Sequence, residues 1–335
     1  MADLRPRSGN RAGERGQLLL IAAFLVGVSF VVLALVVNSA IFTENLATRD
    51  DIPGSDDALD YRHEVSQNLG DVITAINQNN SVLDDYSSSN LDTPVENNVE
   101  TLQRQSGVQQ SSQGRVVDVA FDSWEPGLKV AQDDPRTFTN TSGSKTDWTV
   151  VENVPNTRNV RLNVTQNPGM ALSSDPFELV VERGGDEWIL TVADDSTGTG
   201  VLLEVDRPGE SPETCTREFD GYLLIDVTRG TVGGDRCHAL TQLTDGTPMW
   251  FGTGVSADYD IQFKNGDELV GTYSFIVEDP GPATATPDDP GDFGSPGSGP
   301  YTKDAVYSAS VSYRYYTQDV GFETDVRAVP GEVPP

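Results

Sequence analysis

Leu18 to Phe42 is a run of 25 residues without a charge, and no other stretch constrains the architecture of the chain as strongly. A hydrocarbon core of about 30 Å needs about 20 helical residues, so the run is long enough to span one. It is apolar all round, unlike a helix lying on a globular core. A cleaved secretory signal has a shorter apolar core, of about 7–15 residues, and then a small-x-small cut site; here Asn38 spoils Asn38-Ser39-Ala40 as such a site. Arg5, Arg7, Arg11 and Arg15 precede the run, against Asp3 and Glu14, and the first charge beyond it is Glu44. Positive flanks stay cytoplasmic. The expectation is a single-pass cell-membrane protein: 1–17 a basic cytoplasmic leader, 18–42 a transmembrane helix in membrane lipid, and the bulk of the chain extracellular.

That bulk is acidic. The 335 residues hold 52 Asp and Glu against 22 Lys and Arg, a formal charge of −30, and the only lysines are Lys129, Lys145, Lys264 and Lys303. Such a surface repels nucleic acid, which is excluded as a partner. Scarce Lys with abundant acid resembles the proteome of a salt-loving archaeon, where a Debye length of about 3 Å at molar salt screens the self-repulsion. Asp56-Asp57, Asp133-Asp134, Asp194-Asp195 and Asp288-Asp289 read as solvated surface.

Pro53-Gly54 interrupts the helix. Beyond it Ala58, Tyr61, Val65, Leu69, Val72 and Ile76 recur at helical spacing. Thr93-Pro94-Val95-Glu96 carries a capping box with an N1 proline, and Leu91, Val95, Val99 and Leu102 form a second stripe. The spacing predicts an antiparallel helical hairpin, a stalk over 43–112. From Arg115 the period becomes two, and short strand-like segments recur to residue 328. Gly184-Gly185-Asp186 and Asn265-Gly266 read as hairpin turns. The Pro/Gly/Asp-rich loop 279–301 has no packing pattern. The fold class expected is α+β: transmembrane helix, helical-hairpin stalk, then an antiparallel β-sandwich over 113–329 and a tail at 330–335.

Cys215 and Cys237 are the only cysteines, either a disulfide or two buried thiols; an oxidising location favours the disulfide. Asn79, Asn140 and Asn163 begin Asn-x-Ser/Thr sequons and are candidate N-glycosylation sites. His63 and His238 are the only histidines, and no phosphate loop, nucleophile elbow or zinc motif is present. Asp288-Asp289-Pro290-Gly291-Asp292 could offer Ca²⁺ oxygens but lacks the spacing of a calcium loop. No catalytic residue, cofactor or metal is assigned, and an enzyme is not expected.

Arg15-Gly16-Gln17, followed at once by the apolar run and then by Asn38-Ser39-Ala40-Ile41-Phe42, resembles the N-terminus of archaeal type IV pilins and archaellins. The resemblance implies cleavage between Gly16 and Gln17 by a prepilin-type peptidase, and pilin-like or envelope protein partners. Ile21 stands where bacterial pilins carry Glu. The whole chain also resembles a group of haloarchaeal single-pass envelope proteins, which implies location and no activity. The function expected is a pilin-like surface protein, a minor or accessory pilus-type subunit. The alternatives are an anchored β-sandwich that binds glycan or an envelope partner, and an extracellular hydrolase.

Overall fold

Two helices open the described chain. The computed structural model describes residues 55–79, 91–111, 114–165, 175–195, 199–241, 251–279 and 287–331. Helix α1 (Ser55–Gln78) buries Tyr61, Val65, Leu69, Ile73 and Ile76. Ile73, and not Val72, carries the stripe, because a spacing of four after Leu69 keeps it on the buried face. Helix α2 (Asp92–Ser111) buries Val95 and Val99, and its buried face continues through Ser106 and Gln110 while Leu102 is half-buried.

The strands then follow: β1 (Val116–Thr137), β2 (Trp148–Val154), β3 (Thr157–Val164), β4 (Phe177–Arg183), β5 (Asp186–Asp194), β6 (Gly200–Asp206), β7 (Glu213–Glu218), β8 (Leu223–Asp226), β9 (Thr231–Val232), β10 (Asp235–Arg236), β11 (Tyr259–Lys264), β12 (Val270–Glu278), β13 (Tyr301–Tyr316) and β14 (Gly321–Ala328). They make an eight-stranded sheet, in the order β10-β9-β8-β3-β12-β1-β13-β14, and a six-stranded one, β2-β11-β4-β5-β6-β7, all antiparallel in their pairings. Register shifts in β1 between Phe121 and Ser123, between Glu125 and Pro126, and between Gln132 and Arg136 let so long a strand bend, and the larger sheet curls. Alternate residues of both sheets meet in one apolar core, with Leu162, Phe275 and Val277 from the larger sheet and Leu179, Leu190 and Phe263 from the smaller.

The expected α+β architecture is corrected. Among the described residues the protein is mostly β, 49% strand with two helices, and the described part of the expected stalk does not stand apart. Both helices lie against the larger sheet: Tyr61 meets Tyr313 at 6.0 Å between ring centroids, Gln103 Nε2 donates to Asp118 Oδ1 at 2.6 Å, and Trp124 Nε1 donates to Asp92 Oδ1. The apolar stripes that suggested a self-paired hairpin are spent on the sheet, which offers far more apolar area than a second helix. The transmembrane helix expected over Leu18–Phe42 would fall outside the described residues, and among the described residues no helix is long and apolar enough to cross a membrane. The structure therefore does not support a single-pass cell-membrane anchor, or the cytoplasmic-to-extracellular topology built on it.

Residues 1–58 with 317–320 form one compact unit and the remainder another. Of the first, only 55–58, the opening turn of α1, and 317–320, a turn closed by Thr317 N donating to Val320 O, are described.

Gly184 and Gly185, at φ 63° and 97°, make the two-residue β4–β5 hairpin. Asn265-Gly266 does something else. Asn265 is left-handed (φ 52°), but β11 belongs to the smaller sheet and β12 to the larger, so the pair turns the corner between sheets. Gly266 O accepts from Phe138 N at 2.8 Å, and a Cβ on Gly266 would stand 2.3 Å from Phe138 O. A type I′ dipeptide is read locally; which sheet the next strand joins is decided by burial.

The disulfide is formed, and its place gives it a mechanical meaning. Cys215 lies in β7, the outer strand of the smaller sheet, and Cys237 directly follows β10, the outer strand of the larger. The bond clasps the two sheets at one edge. A bridge with a sequence separation of 22 contributes about 3 kcal/mol on the chain-entropy account. Replacing both cysteines by Ser is expected to lower the melting temperature by several degrees; a scan that coincides with the native one would show that the edge holds without it.

Candidate functional site

The larger sheet has one face on the shared core, and its other face carries an unusual set of charges. The site forms where α1 ends over β1, β3 and β12. Pro126 of β1 has no N–H to offer its register partner Val306 in β13, and both backbone groups of Val306 are taken up elsewhere. Asn77 Nδ2 donates to Val306 O at 2.7 Å and Val306 N donates to Asn77 Oδ1 at 2.9 Å, so one side-chain amide acts as a strand neighbour. Arg158 Nη2 also donates to Val306 O (2.7 Å), its Nη1 donates to Pro330 O (2.6 Å), and its guanidinium lies 5.3 Å from the Tyr307 ring centroid. Helix α1 is thereby pinned at its C-terminal end.

The cleft beside that pin has a volume of about 380 Å³, within the range of small-molecule sites. Lys129, Arg158 and Arg161 line it, against a single lining carboxylate, Asp133. Lys129 Nζ donates to Asn77 O at 3.1 Å, closing the last turn of α1, and sits 5.8 Å from the Tyr301 ring centroid. Tyr301 OH donates to Asp133 Oδ2 at 2.5 Å. Burial pushes the Lys129 ammonium below its usual pKa, with the Asp133 charge opposing. Lys303 lies directly opposite Lys129 in the β1–β13 register, hence on the same sheet face, and burial lowers it too. Half of the lysines of the chain thus form one cross-strand pair.

Arg161 Nε donates to the buried Asp226 at 3.0 Å, which leaves its two terminal nitrogens without a partner among the described residues. Asn159, held left-handed at φ 56°, and Ser274 complete the wall with side-chain amide and hydroxyl groups. The arrangement offers cations and neutral donors and no paired acid and base. Among the described residues no group of His, Cys, Asp and Glu could hold a metal ion.

The residues singled out by sequence lie elsewhere. Arg15, Gly16 and Gln17 fall outside the described residues. His63 is exposed, within 2.9 Å of Gln67 Nε2, and His238 is exposed beside the disulfide. The Asp288–Asp292 segment is not a calcium loop but a latch. Asp292 is buried, accepting from Asn140 Nδ2 (2.9 Å) and Lys145 Nζ (2.7 Å), and Asp289 Oδ1 accepts from Gly291 N. These carboxylates raise the pKa of Lys145, the Asp292 hydrogen bond most of all. With Phe293 packed edge-to-face on Trp148 at 5.5 Å between ring centroids and Arg136 Nη1 donating to Ser298 O, the described part of the Pro/Gly/Asp loop is packed after all.

The three sequons separate clearly. Asn140 is only 3% exposed, its amide given to Asp292 and its oxygen accepting from Ser142, Ser144 and Lys145, so a glycan there is incompatible with the fold. Asn163 is half-buried in an interior strand of the larger sheet with Oδ1 buried. Asn79 is exposed just past α1. Glycopeptide mass spectrometry on chain made by a glycosylating host is expected to find modification at Asn79 and none at Asn140; an occupied Asn140 in folded protein would contradict the latch.

Lys129 and Arg158 were missed because no local pattern marks them: each is one basic residue inside a strand. The scarcity of Lys in an acidic chain was the available signal.

A family of unknown function, DUF7261, matches residues 12–142, less than half of the chain. The matched stretch contains both helices and Lys129 but ends before Arg158 and Arg161. No curated protein and no solved structure matches.

Proposed function

We propose that the chain is a non-catalytic binding module whose ligand occupies the cleft beside the end of α1. The observation that carries this reading is the convergence of Lys129, Arg158 and Arg161 on one recess of a chain with formal charge −30. Burying cations costs free energy unless something offsets it, and here carbonyl oxygens and Asp133 hold two of them in place while Arg161 presents an open fork. Asn159 and Ser274 add the neutral donors and acceptors that polyhydroxylated ligands require. The disulfide supports work in oxidising surroundings.

Titration calorimetry at molar KCl against a panel of soluble neutral and acidic polysaccharides tests it. Saturable heat with at least one polymer is expected, with chain length unchanged after prolonged incubation. Ser274→Trp, which fills the recess, is expected to abolish the heat while the melting temperature stays close to native. Silence across the panel, or a polymer that shortens, overturns the reading.

The leader cut between Gly16 and Gln17 is a separate proposal, supported by Arg15-Gly16-Gln17 alone. An intact mass that begins at Gln17 supports it and with it the pilin-like reading; a mass that retains the leader ends both.

A further inference from the structure

We infer that the ligand is an extended neutral glycan that runs out of the cleft and lies across the outer face of β12, β3 and β8. This rests on the binding-module reading and goes further by naming the ligand class and the surface it follows. The helices make their contacts with the larger sheet on β1 and β13. Over the next three strands the outer face is open. Strand pairing sets it out in two rows, Ser274 beside Arg161 beside Asp226, and Thr272 beside Asn163 beside Leu224. Asp226 is buried, but Ser274, Arg161, Thr272 and Asn163 are half-buried and Leu224 is 38% exposed. Tyr222, placed on the side of Leu224 by strand alternation, is 68% exposed. Ser274 and Arg161 also line the cleft, so the rows continue that site.

The chemistry of this strip selects its occupant. β12, β3 and β8 each have a strand neighbour on both sides, so no added polypeptide strand can pair there. What the face offers is side chains: two hydroxyls, one amide, the open donors of Arg161, and an apolar step at Leu224 and Tyr222. Hydroxyl and amide groups both donate and accept, as the hydroxyls of a sugar require. The apolar face of an exposed Tyr ring takes the C–H face of a sugar ring while its OH stays in water. The Arg161 charge is offset by Asp226, so the strip gives a charged polymer no advantage. Neighbouring strands stand about 4.8 Å apart, which presents these groups at intervals suited to successive rings of a stretched chain. A compact sugar would reach the cleft and leave the apolar step bare.

The test is ¹H–¹⁵N NMR of the full chain, made without glycans, at molar KCl. The probes are cellohexaose, xylohexaose and mannohexaose, each beside its disaccharide, and hexagalacturonate. At least one neutral hexasaccharide is expected to shift the amides of Leu224, Asn163 and Thr272 together with that of Ser274, and to bind about tenfold more tightly than its disaccharide, the gain from one stacked ring. Tyr222→Ala, at an exposed position, should remove that gain, leave the disaccharide unchanged and keep the native melting temperature. Thr272→Val, which removes only a hydroxyl, should weaken the hexasaccharide severalfold. A hexasaccharide that binds no more tightly than its disaccharide, or whose shifts stop at the cleft, overturns the inference and leaves the binding module standing. Hexagalacturonate binding more tightly than every neutral chain does the same. A dimer in sedimentation velocity that Tyr222→Ala dissolves assigns the strip to a second copy and also overturns it. No shift with any probe overturns it too, and a silent polysaccharide panel beside that result removes the binding module as well.

Discussion

Gly271→Ala is expected to be the most damaging single-methyl change in the protein. Gly271 sits in β12 between Val164 of β3 and Arg136 of β1, and Gln132 Nε2 donates to its carbonyl at 2.9 Å. A Cβ there would lie 2.1 Å from Asn163 O, 3.0 Å from Asn163 C and 3.1 Å from Val164 Cα. These are backbone atoms of the neighbouring strand, so no rotamer change makes room. β12 and β3 must separate at the centre of the eight-stranded sheet, or β12 must twist out of its ladder. Overpacking of a core with mobile side chains costs about 1–3 kcal/mol; with only backbone to yield, about 3 kcal/mol or more is expected. At about 2–4 °C per kcal/mol for a domain of this size class, the melting temperature should fall by roughly 6–12 °C. A variant melting within a degree or two of the native chain would show that β12 and β3 are less tightly registered than described.

The second large effect is at Phe263. This ring is fully buried, and its neighbours come from both sheets and the corners between them: Phe138 at 5.7 Å, Trp148 at 5.9 Å, Phe177 at 5.5 Å and Tyr273 at 5.0 Å between centroids. Tyr273 belongs to the larger sheet, Trp148 and Phe177 to the smaller, and Phe138 directly follows the long β1. Phe263→Ala removes the lost transfer energy and leaves a cavity rimmed by rings that close it poorly, costing about 3–5 kcal/mol. Phe263→Leu keeps most of the volume and should cost less than about 1.5 kcal/mol. Chemical denaturation of the two variants separates the cases: equal midpoints would mean that the aromatic cluster is not the joint between sheets.

Much of the secondary structure was legible because it is local. Periods of two and of nearly four are written along the chain, so the strands from Val116 onward and both helices could be placed near their observed positions. Two cysteines permit one intrachain pairing. What the periods do not carry is the partner of each face. The stripe Tyr61–Val65–Leu69 looks the same whether it meets another helix or a sheet. Asn265-Gly266 has the same left-handed propensity in a hairpin and in an inter-sheet corner. Asn140 has the same sequon whether its amide faces water or Asp292.

The cleft was illegible for the same reason, carried further. Lys129, Arg158 and Arg161 line one cleft because β3 pairs β12 and β12 pairs β1, and Lys303 stands opposite Lys129 through a register set some 170 residues away in sequence. Pro126, unremarkable in the sequence, decides how α1 is pinned by leaving Val306 to Asn77 and Arg158. By itself the sequence determined the acidic surface, the two helices and the run of antiparallel strands, since these follow from composition and short-range period, and it left one possible intrachain pairing for its two cysteines. Only the tertiary structure decided that the helices lie on a sheet, that the disulfide clasps two sheet edges, and that scattered basic residues share one recess, because strand pairing and burial are choices among distant partners that no local window contains.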